Sequence, residues 1–146
     1  MNVFFDTSAL VSLFVSLFVR DAGSTRARRA STGAQRLVVS ALAYAELLAA
    51  FARLAREGAL SERDHTRAVA AFSAAWLSYQ RVGLDARVLP EARRVLKFHA
   101  LTGADAVHLA SALVVKRQTR TLDLRFACSD TRLSTAATDE GLLAAW

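Results

Sequence analysis

Four acidic residues, Asp6, Glu46, Asp105 and Asp130, stand in apolar surroundings where folding would take them out of water. Asp6 closes the run Met1-Asn2-Val3-Phe4-Phe5 and opens Asp6-Thr7-Ser8, while Glu46 is the only charge between Arg36 and Arg53. Asp105 heads Asp105-Ala106-Val107-His108-Leu109-Ala110, and Asp130 follows Phe126-Ala127-Cys128-Ser129. A buried carboxylate is costly unless something positive meets it, and no basic residue adjoins the first three in sequence. Oxygen-rich sites of this kind select Mg²⁺ or Mn²⁺ over softer metals. An ion held there would bind phosphate oxygens, polarise phosphorus and acidify an attacking water, so the chemistry indicated is phosphodiester hydrolysis. Each acid also has a plainer role open to it. Asp6, Asp105 and Asp130 could cap helices, and Glu46 could be a helix-surface charge. The joint arrangement, rather than any one residue, favours the metal site.

The elements that must position these acids follow from pattern. Val3 to Phe5 reads as a short buried strand, and Thr7 or Ser8 can cap a helix running to about Arg20. Ser8, Ser12, Ser16 and Arg20 would form a thin polar stripe on that helix. An immediate repeat, Ser12-Leu13-Phe14-Val15 then Ser16-Leu17-Phe18-Val19, is expected to add one helical turn. Gly23 to Gly33, with Arg26, Arg28 and Arg29, reads as a loop or short helix. Leu37 to Val39 is a second strand, and Ser40 caps a helix to about Glu57, stopped by Gly58. Ser61 and Asp64 open a further helix to about Tyr79; Val82 belongs to a short strand, and Pro90 lies in the first turn of a helix to about Ala100. A helix from Ala104 to Val115, a strand from Arg125 to Ser129, a helix from Thr131 to Thr138 and a short helical tail to Trp146 complete the chain. Strands alternating with helices imply an α/β fold with a short, mainly parallel sheet covered on both faces. Ligands in such folds bind beyond the carboxyl ends of the strands, where Asp6 and Asp130 fall. No linker divides residues 1–146, which are expected to form a single domain.

Composition narrows the partners. The 146 residues are 53% hydrophobic, which argues against disorder, and carry 19 bases against 13 acids, a net +6. With the four candidate acids set aside, nine remain against nineteen bases. A cationic shell around an anionic pocket suits a polyanion, although 17 of the bases are Arg and an arginine-rich surface accounts for them equally well. The single Cys128 excludes an internal disulfide and a cysteine zinc cluster, and reads as a small buried hydrophobe. The apolar stretch from Ala9 to Val19 is too short to span a membrane, so a cytoplasmic location with no membrane association is expected.

The motifs, taken together, resemble a known family. Asp6-Thr7-Ser8-Ala9-Leu10, Ala45-Glu46-Leu47, Gly103-Ala104-Asp105-Ala106-Val107-His108-Leu109-Ala110-Ser111-Ala112 and Cys128-Ser129-Asp130-Thr131-Arg132-Leu133 resemble the successive motifs of PIN-domain ribonucleases. The similarity is greatest to the VapC-like toxins of toxin–antitoxin pairs, and it runs over nearly the whole chain. It implies a three-layer α/β/α sandwich and an acidic quartet of Asp6, Glu46, Asp105 and Asp130. Asp6 and Asp105 would be direct metal ligands; Glu46 and Asp130 would act through water or complete a second metal position. Ser8 and Ser129 would support the site. The resemblance further implies Mg²⁺ or Mn²⁺, as one or two ions, and endoribonuclease activity on structured RNA such as tRNA, leaving 5′-phosphate and 3′-hydroxyl ends. A homodimer silenced by a cognate antitoxin is implied as well. A DNA nuclease of similar chemistry and a catalytically silent RNA-binding or regulatory protein are the alternatives. The doubled Ser-Leu-Phe-Val departs from the family pattern and is expected to lengthen the first helix beyond the metal site.

Other residues receive structural expectations. His108, three residues after Asp105, reads as a packed, hydrogen-bonded helix residue; His65 and His99 have no partner at zinc spacing. Phe72, Trp76 and Tyr79 read as core, and Asp123 and Asp139 as loop or cap residues. The arginines between residues 20 and 36, with Arg93, Arg94 and Lys97, could track an RNA backbone or be solvated surface.

Overall fold

The computed structural model describes residues 1–18, 22–119 and 123–146. Five strands form one parallel sheet in the order β3-β2-β1-β4-β5: β1 (Asn2–Phe5), β2 (Arg36–Ser40), β3 (Gln80–Val82), β4 (Leu124–Ala127) and β5 (Leu143–Ala144). The central strand β1 pairs Phe4 with Val38 on one side and with Phe126 on the other. Strict alternation sorts the side chains onto two faces. Phe4, Val38, Val82 and Phe126 point to one core, Val3, Phe5, Val39 and Ala127 to the other. Helices α5 (Val88–Phe98), α6 (Gly103–Thr119) and α7 (Thr131–Asp139) cover the first face; α1 (Thr7–Val15), α2 (Ala22–Gly33), α3 (Leu42–Arg56) and α4 (Glu62–Trp76) cover the second. The expected α/β/α sandwich is therefore the fold, and every strand pairing in it is parallel.

Local chemistry explains where the helices begin and end. Asp6, not Thr7 or Ser8, caps α1, because its carboxylate accepts the Ala9 N–H at 2.8 Å. That helix ends at Val15 rather than near Arg20, which lies outside the described residues. The second copy of the repeat does not lengthen it: Ser16 is the C-cap, its hydroxyl bonded to the Leu13 carbonyl, and the chain turns through Phe18. Arg28 holds this turn by donating to the Ser16 carbonyl at 2.9 Å. Residues 22–33, expected as a loop or short helix, form three turns of helix, because Ala27 and Ala30 recur at helical spacing and bury in the second core, where α2 packs on α1.

The C-terminal segment also departs from expectation. Instead of a helical tail, α7 stops at Gly141, whose φ of +81° is left-handed and favours glycine. The Leu142 N–H returns to the Ala137 carbonyl at 2.9 Å and the Gly141 N–H to Thr138 at 2.9 Å, closing the helix. Leu142 then tucks into the core and the chain pairs with β4 as β5. The same closure at Gly58 ends α3, with Ala59 bonded to the Leu54 carbonyl at 2.9 Å.

Three helices are tied by one ionic network. Glu91 of α5 is buried and accepts from Arg94 at 2.8 Å and from Arg117 of α6 at 3.1 Å, while Arg94 also grips Glu140 beyond α7. His99 reaches the same Glu140 at 2.8 Å. These pairs place Arg94 and His99 in the framework rather than on a free nucleic-acid surface. Phe72, Trp76 and Tyr79 pack with Tyr44 in an aromatic cluster of the second core, and burial lifts the Tyr79 hydroxyl to about 12. Among the described residues, no single helix is long and apolar enough to cross a membrane.

Candidate active site

Three of the four acids stand where parallel topology exposes the carboxyl ends of neighbouring strands. Asp6 follows β1, Asp130 follows β4, and Asp105 lies in the first turn of α6. Glu46 sits one turn into α3, the helix that follows β2. The order β2-β1-β4 therefore brings distant parts of the chain to one edge of the sheet.

Asp6 is 4% exposed. The Ser8 hydroxyl reaches both its carboxylate oxygens, at 2.8 and 2.9 Å, and itself accepts the Ser129 N–H at 2.9 Å. Ser8 thus joins the loop after β1 to the loop after β4, and Ser129 contributes its backbone to the joint. Burial pushes the Asp6 carboxyl up to about 6 despite the opposing bonds from Ala9 and Ser8. His108 nearby favours its ionised form, and Asp105 disfavours it. No Lys or Arg among the described residues forms an ion pair with Asp6, Asp105 or Asp130. Among the described residues, the carboxylates at the centre of the site therefore carry no Lys or Arg counter-charge.

Glu46 is held differently. Its Oε1 accepts from the Thr7 hydroxyl at 2.7 Å and from His108 Nε2 at 2.6 Å. Burial works against ionising this carboxyl, but the bonds from His108 and Thr7 outweigh it and hold the acid below its ordinary range. His108 is 2% exposed and its Nδ1 is buried without a partner. The ring is a packed helix residue, as its spacing indicated, and also the fixed partner of a candidate site acid. Thr7 escaped sequence reasoning, because one hydroxyl beside an aspartate carries no sign of a partner 39 positions away.

Asp130 caps α7 by accepting the Leu133 N–H at 2.9 Å, yet remains exposed. Asp105 caps nothing: the Thr102 hydroxyl accepts the Asp105 N–H at 3.1 Å and leaves the carboxylate free. Both acids line a cleft of about 370 Å³ with Thr102, Ser129 and Arg132. Cys128, two residues before Asp130, is buried, and burial drives its thiol up to about 12.

The donor set fits a hard divalent cation. Among the described residues no three His, Cys, Asp or Glu side chains converge tightly enough to cage an ion. Zn²⁺ sites are such cages. Mg²⁺ is typically held by one or two carboxylates, with water and substrate phosphate completing its shell, and the uncompensated pair Asp6 and Asp105 suits that arrangement.

Residues 3–134 match the PIN domain. The chain belongs to the PIN-domain family. Ribonuclease VapC45 of Mycobacterium tuberculosis (strain CDC 1551 / Oshkosh) is 41% identical over 113 residues, covering 77% of this chain and 76% of the relative. Ribonuclease VapC49 of strain ATCC 25618 / H37Rv matches with the same identity and coverage. These relatives place the chain in the VapC branch of the PIN family. Solved structures share the fold. FitAcB from Neisseria gonorrhoeae superposes with a TM-score of 0.68 at 18% identity, covering 99% of this chain and 98% of that one. A toxin–antitoxin complex from Klebsiella pneumoniae gives 0.66 at 16% identity, with 99% and 98% covered. Mycobacterium tuberculosis VapC20, a Sarcin-Ricin loop cleaving toxin, gives 0.62 at 20% identity, with 92% and 94% covered.

Proposed function

We propose that this VapC-branch PIN protein is an Mg²⁺- or Mn²⁺-dependent endoribonuclease, the toxin of a toxin–antitoxin pair. The observation that carries the reading is the buried Asp6 carboxylate beside Asp105, unpaired with any base and adjoining a cleft lined by Asp105, Asp130 and Arg132. Relatives 41% identical bear the name ribonuclease, and the structural neighbour VapC20 is a Sarcin-Ricin loop cleaving toxin.

Asp6 and Asp105 would hold the ion, with Glu46 and Asp130 acting through water or at a second position. When bound, the ion supplies a polarised phosphorus and a more acidic water. The chain's own residues do the rest. Ser8 fixes the Asp6 carboxylate from both oxygens. Thr7 and His108 keep Glu46 ionised and aimed. Arg132, exposed at the cleft, is placed to hold a phosphate and offset charge that builds on it. The RNA is cut to a 5′-phosphate and a 3′-hydroxyl.

A cognate antitoxin would silence the site by covering it, as the toxin–antitoxin assembly of the Klebsiella pneumoniae neighbour suggests. The active form would be a homodimer. Incubation of purified, antitoxin-free protein with total cellular RNA tests the reading, using Mg²⁺, Mn²⁺ or EDTA. Discrete metal-dependent fragments are expected, lost in Asp105→Asn. Binding of RNA without cleavage under every condition would support the silent RNA-binding alternative instead.

A further inference from the structure

Arg125 occupies an unusual place. Strand alternation assigns it to the same face as Ala127, where neighbouring strands present Val3, Phe5 and Val39. Its Nε is buried and has no hydrogen-bond partner among the described residues. Its one ion pair among the described residues is a loose one, 3.9 Å to Asp123, whose other carboxylate oxygen receives the Met1 amine at 3.2 Å. A guanidinium donor held out of water without an acceptor is a place where an anion belongs.

Helix α2 brings two further arginines to the same place. Arg26 and Arg29, three residues apart, share one face of the helix, whereas Arg28 turns away to hold Ser16. Arg26, Arg29 and Arg125 line a cavity of about 700 Å³ together with Trp146. A second cavity, of about 330 Å³, is also lined by Arg26 and Trp146 and reaches Ser129 and Asp130. The two cavities are neighbours that share Arg26 and Trp146, one reaching Asp130 of the candidate active site and the other Arg125 at the start of β4. The Trp146 indole is steadied by an edge contact with Phe5 at 6.2 Å between centroids. A fixed aromatic ring flanked by guanidiniums, of which Arg26 and Arg29 form no ion pair among the described residues, is the pattern that binds single-stranded nucleic acid, with bases on the ring and phosphates on the cations.

We propose that this pair of cavities is the track for a single-stranded segment of RNA flanking the cleavage point. Trp146 stacks a base, and Arg26, Arg29 and Arg125 hold successive phosphates. The proposal rests on the ribonuclease reading above and adds the path by which substrate reaches Asp130. It also divides the basic residues of α2 into two that bind RNA and one, Arg28, that maintains the fold.

The test uses the full-length Asp105→Asn protein, which should bind RNA without cutting it, in a Trp76→Phe background that leaves Trp146 as the sole tryptophan. The probe is a labelled 20-nucleotide single-stranded RNA, followed by its own anisotropy and by indole fluorescence. Binding with quenching of Trp146 is expected. Trp146→Ala should weaken binding about tenfold, and Trp146→Tyr should recover most of the loss. Arg29→Ala and Arg125→Ala should each lower the slope of log affinity against log salt by about 0.7, as for one lost phosphate contact on a single strand. Arg29 is exposed, so its variant remains informative if Trp146→Ala fails to fold. RNA bound with unchanged indole fluorescence, and with affinity and salt slope unaltered by Arg29→Ala, would overturn the track while leaving the ribonuclease reading intact. No binding and no cleavage of RNA by the wild-type protein would overturn both.

Discussion

His108 Nε2 lies 2.6 Å from Glu46 Oε1, across 62 positions of sequence. A residue of the most deeply buried helix thereby fixes a carboxylate at the rim of the candidate site, with Thr7 completing the triangle. The pair couples fold to function: α6 carries Asp105 toward the cleft and, one turn later, the group that sets Glu46.

That coupling is measurable by a double-mutant cycle on Glu46→Gln and His108→Gln. Urea unfolding should give an interaction energy of about 1–2 kcal/mol, within the range for contacting residues in one polar network. Single-turnover cleavage should fall in His108→Gln even where the variant is fully folded. Additive effects on both stability and cleavage would show that the two residues act separately.

Asp6 predicts a pH dependence specific to the metal-free protein. Its carboxyl is raised from 3.8 to about 6, so the folded state favours the protonated form. Stability from this group is complete below its unfolded pKa, near 3.8, and is lost as pH rises through about 6. The loss is at most about 3 kcal/mol, taking 1.36 kcal/mol per pKa unit. Asp6→Asn keeps the cap and removes the charge. In EDTA it should match wild type near pH 4 and exceed it in stability at pH 7, by thermal or urea unfolding. Mn²⁺ should stabilise wild type and leave the variant unchanged. A wild-type to variant difference independent of pH would contradict the electrostatic account of the site.

The two left-handed glycines offer a graded control. Nothing lies within 4 Å of a Cβ placed on Gly58, whereas one on Gly141 would meet Lys116 Nζ at 3.4 Å. Gly58→Ala should cost about 1 kcal/mol from backbone strain alone. Gly141→Ala should cost at least as much, and should also loosen β5, visible as faster amide exchange in residues 142–145. Equal exchange in both variants would show that β5 does not depend on this turn.

The network of Glu91, Arg94, Arg117 and Glu140 should matter for stability rather than chemistry. Arg94→Met takes one partner from each of two acids, Glu91 and Glu140, that it now helps hold below their ordinary range, leaving them only Arg117 and His99. A loss of about 2–3 kcal/mol is expected at pH 7, part of what breaking a buried pair costs because Arg94 is itself partly exposed. Both acids have lowered pKa values, so their contribution is present at neutral pH and lost on acidification through the carboxylate range. The gap between variant and wild type should therefore narrow at low pH. A constant gap would assign the loss to packing instead.

Much of this arrangement was legible in the sequence because it follows from period and placement. The alternation of Val3, Phe4 and Phe5 marks a strand buried on both faces, and the helices between strands require parallel pairing. The acids could be located at element ends for the same reason. The unread parts turn on single long-range contacts. Residues 22–33 look polar, and only the core surface of α1 offered to Ala27 and Ala30 makes them a helix. The repeated Ser-Leu-Phe-Val suggests a longer α1, but the Ser16 hydroxyl and Arg28 turn the chain there. The tail after Asp139 has helical composition, yet Gly141 and the open edge of β4 draw it into the sheet. His108 and Glu46 have no local signature of their partnership.

The most direct test of the account is single-turnover cleavage of a mapped RNA substrate while Mn²⁺ is titrated into metal-free protein, for wild type, Asp6→Asn and Asp105→Asn. The account predicts saturable, EDTA-reversible cleavage by wild type. Each variant should lose about a hundred- to a thousandfold in rate, the scale expected when a group stabilising transition-state charge is removed, while still unfolding cooperatively and being no less stable than wild type. Cleavage that persists in EDTA, or a folded Asp105→Asn protein as active as wild type, would contradict it.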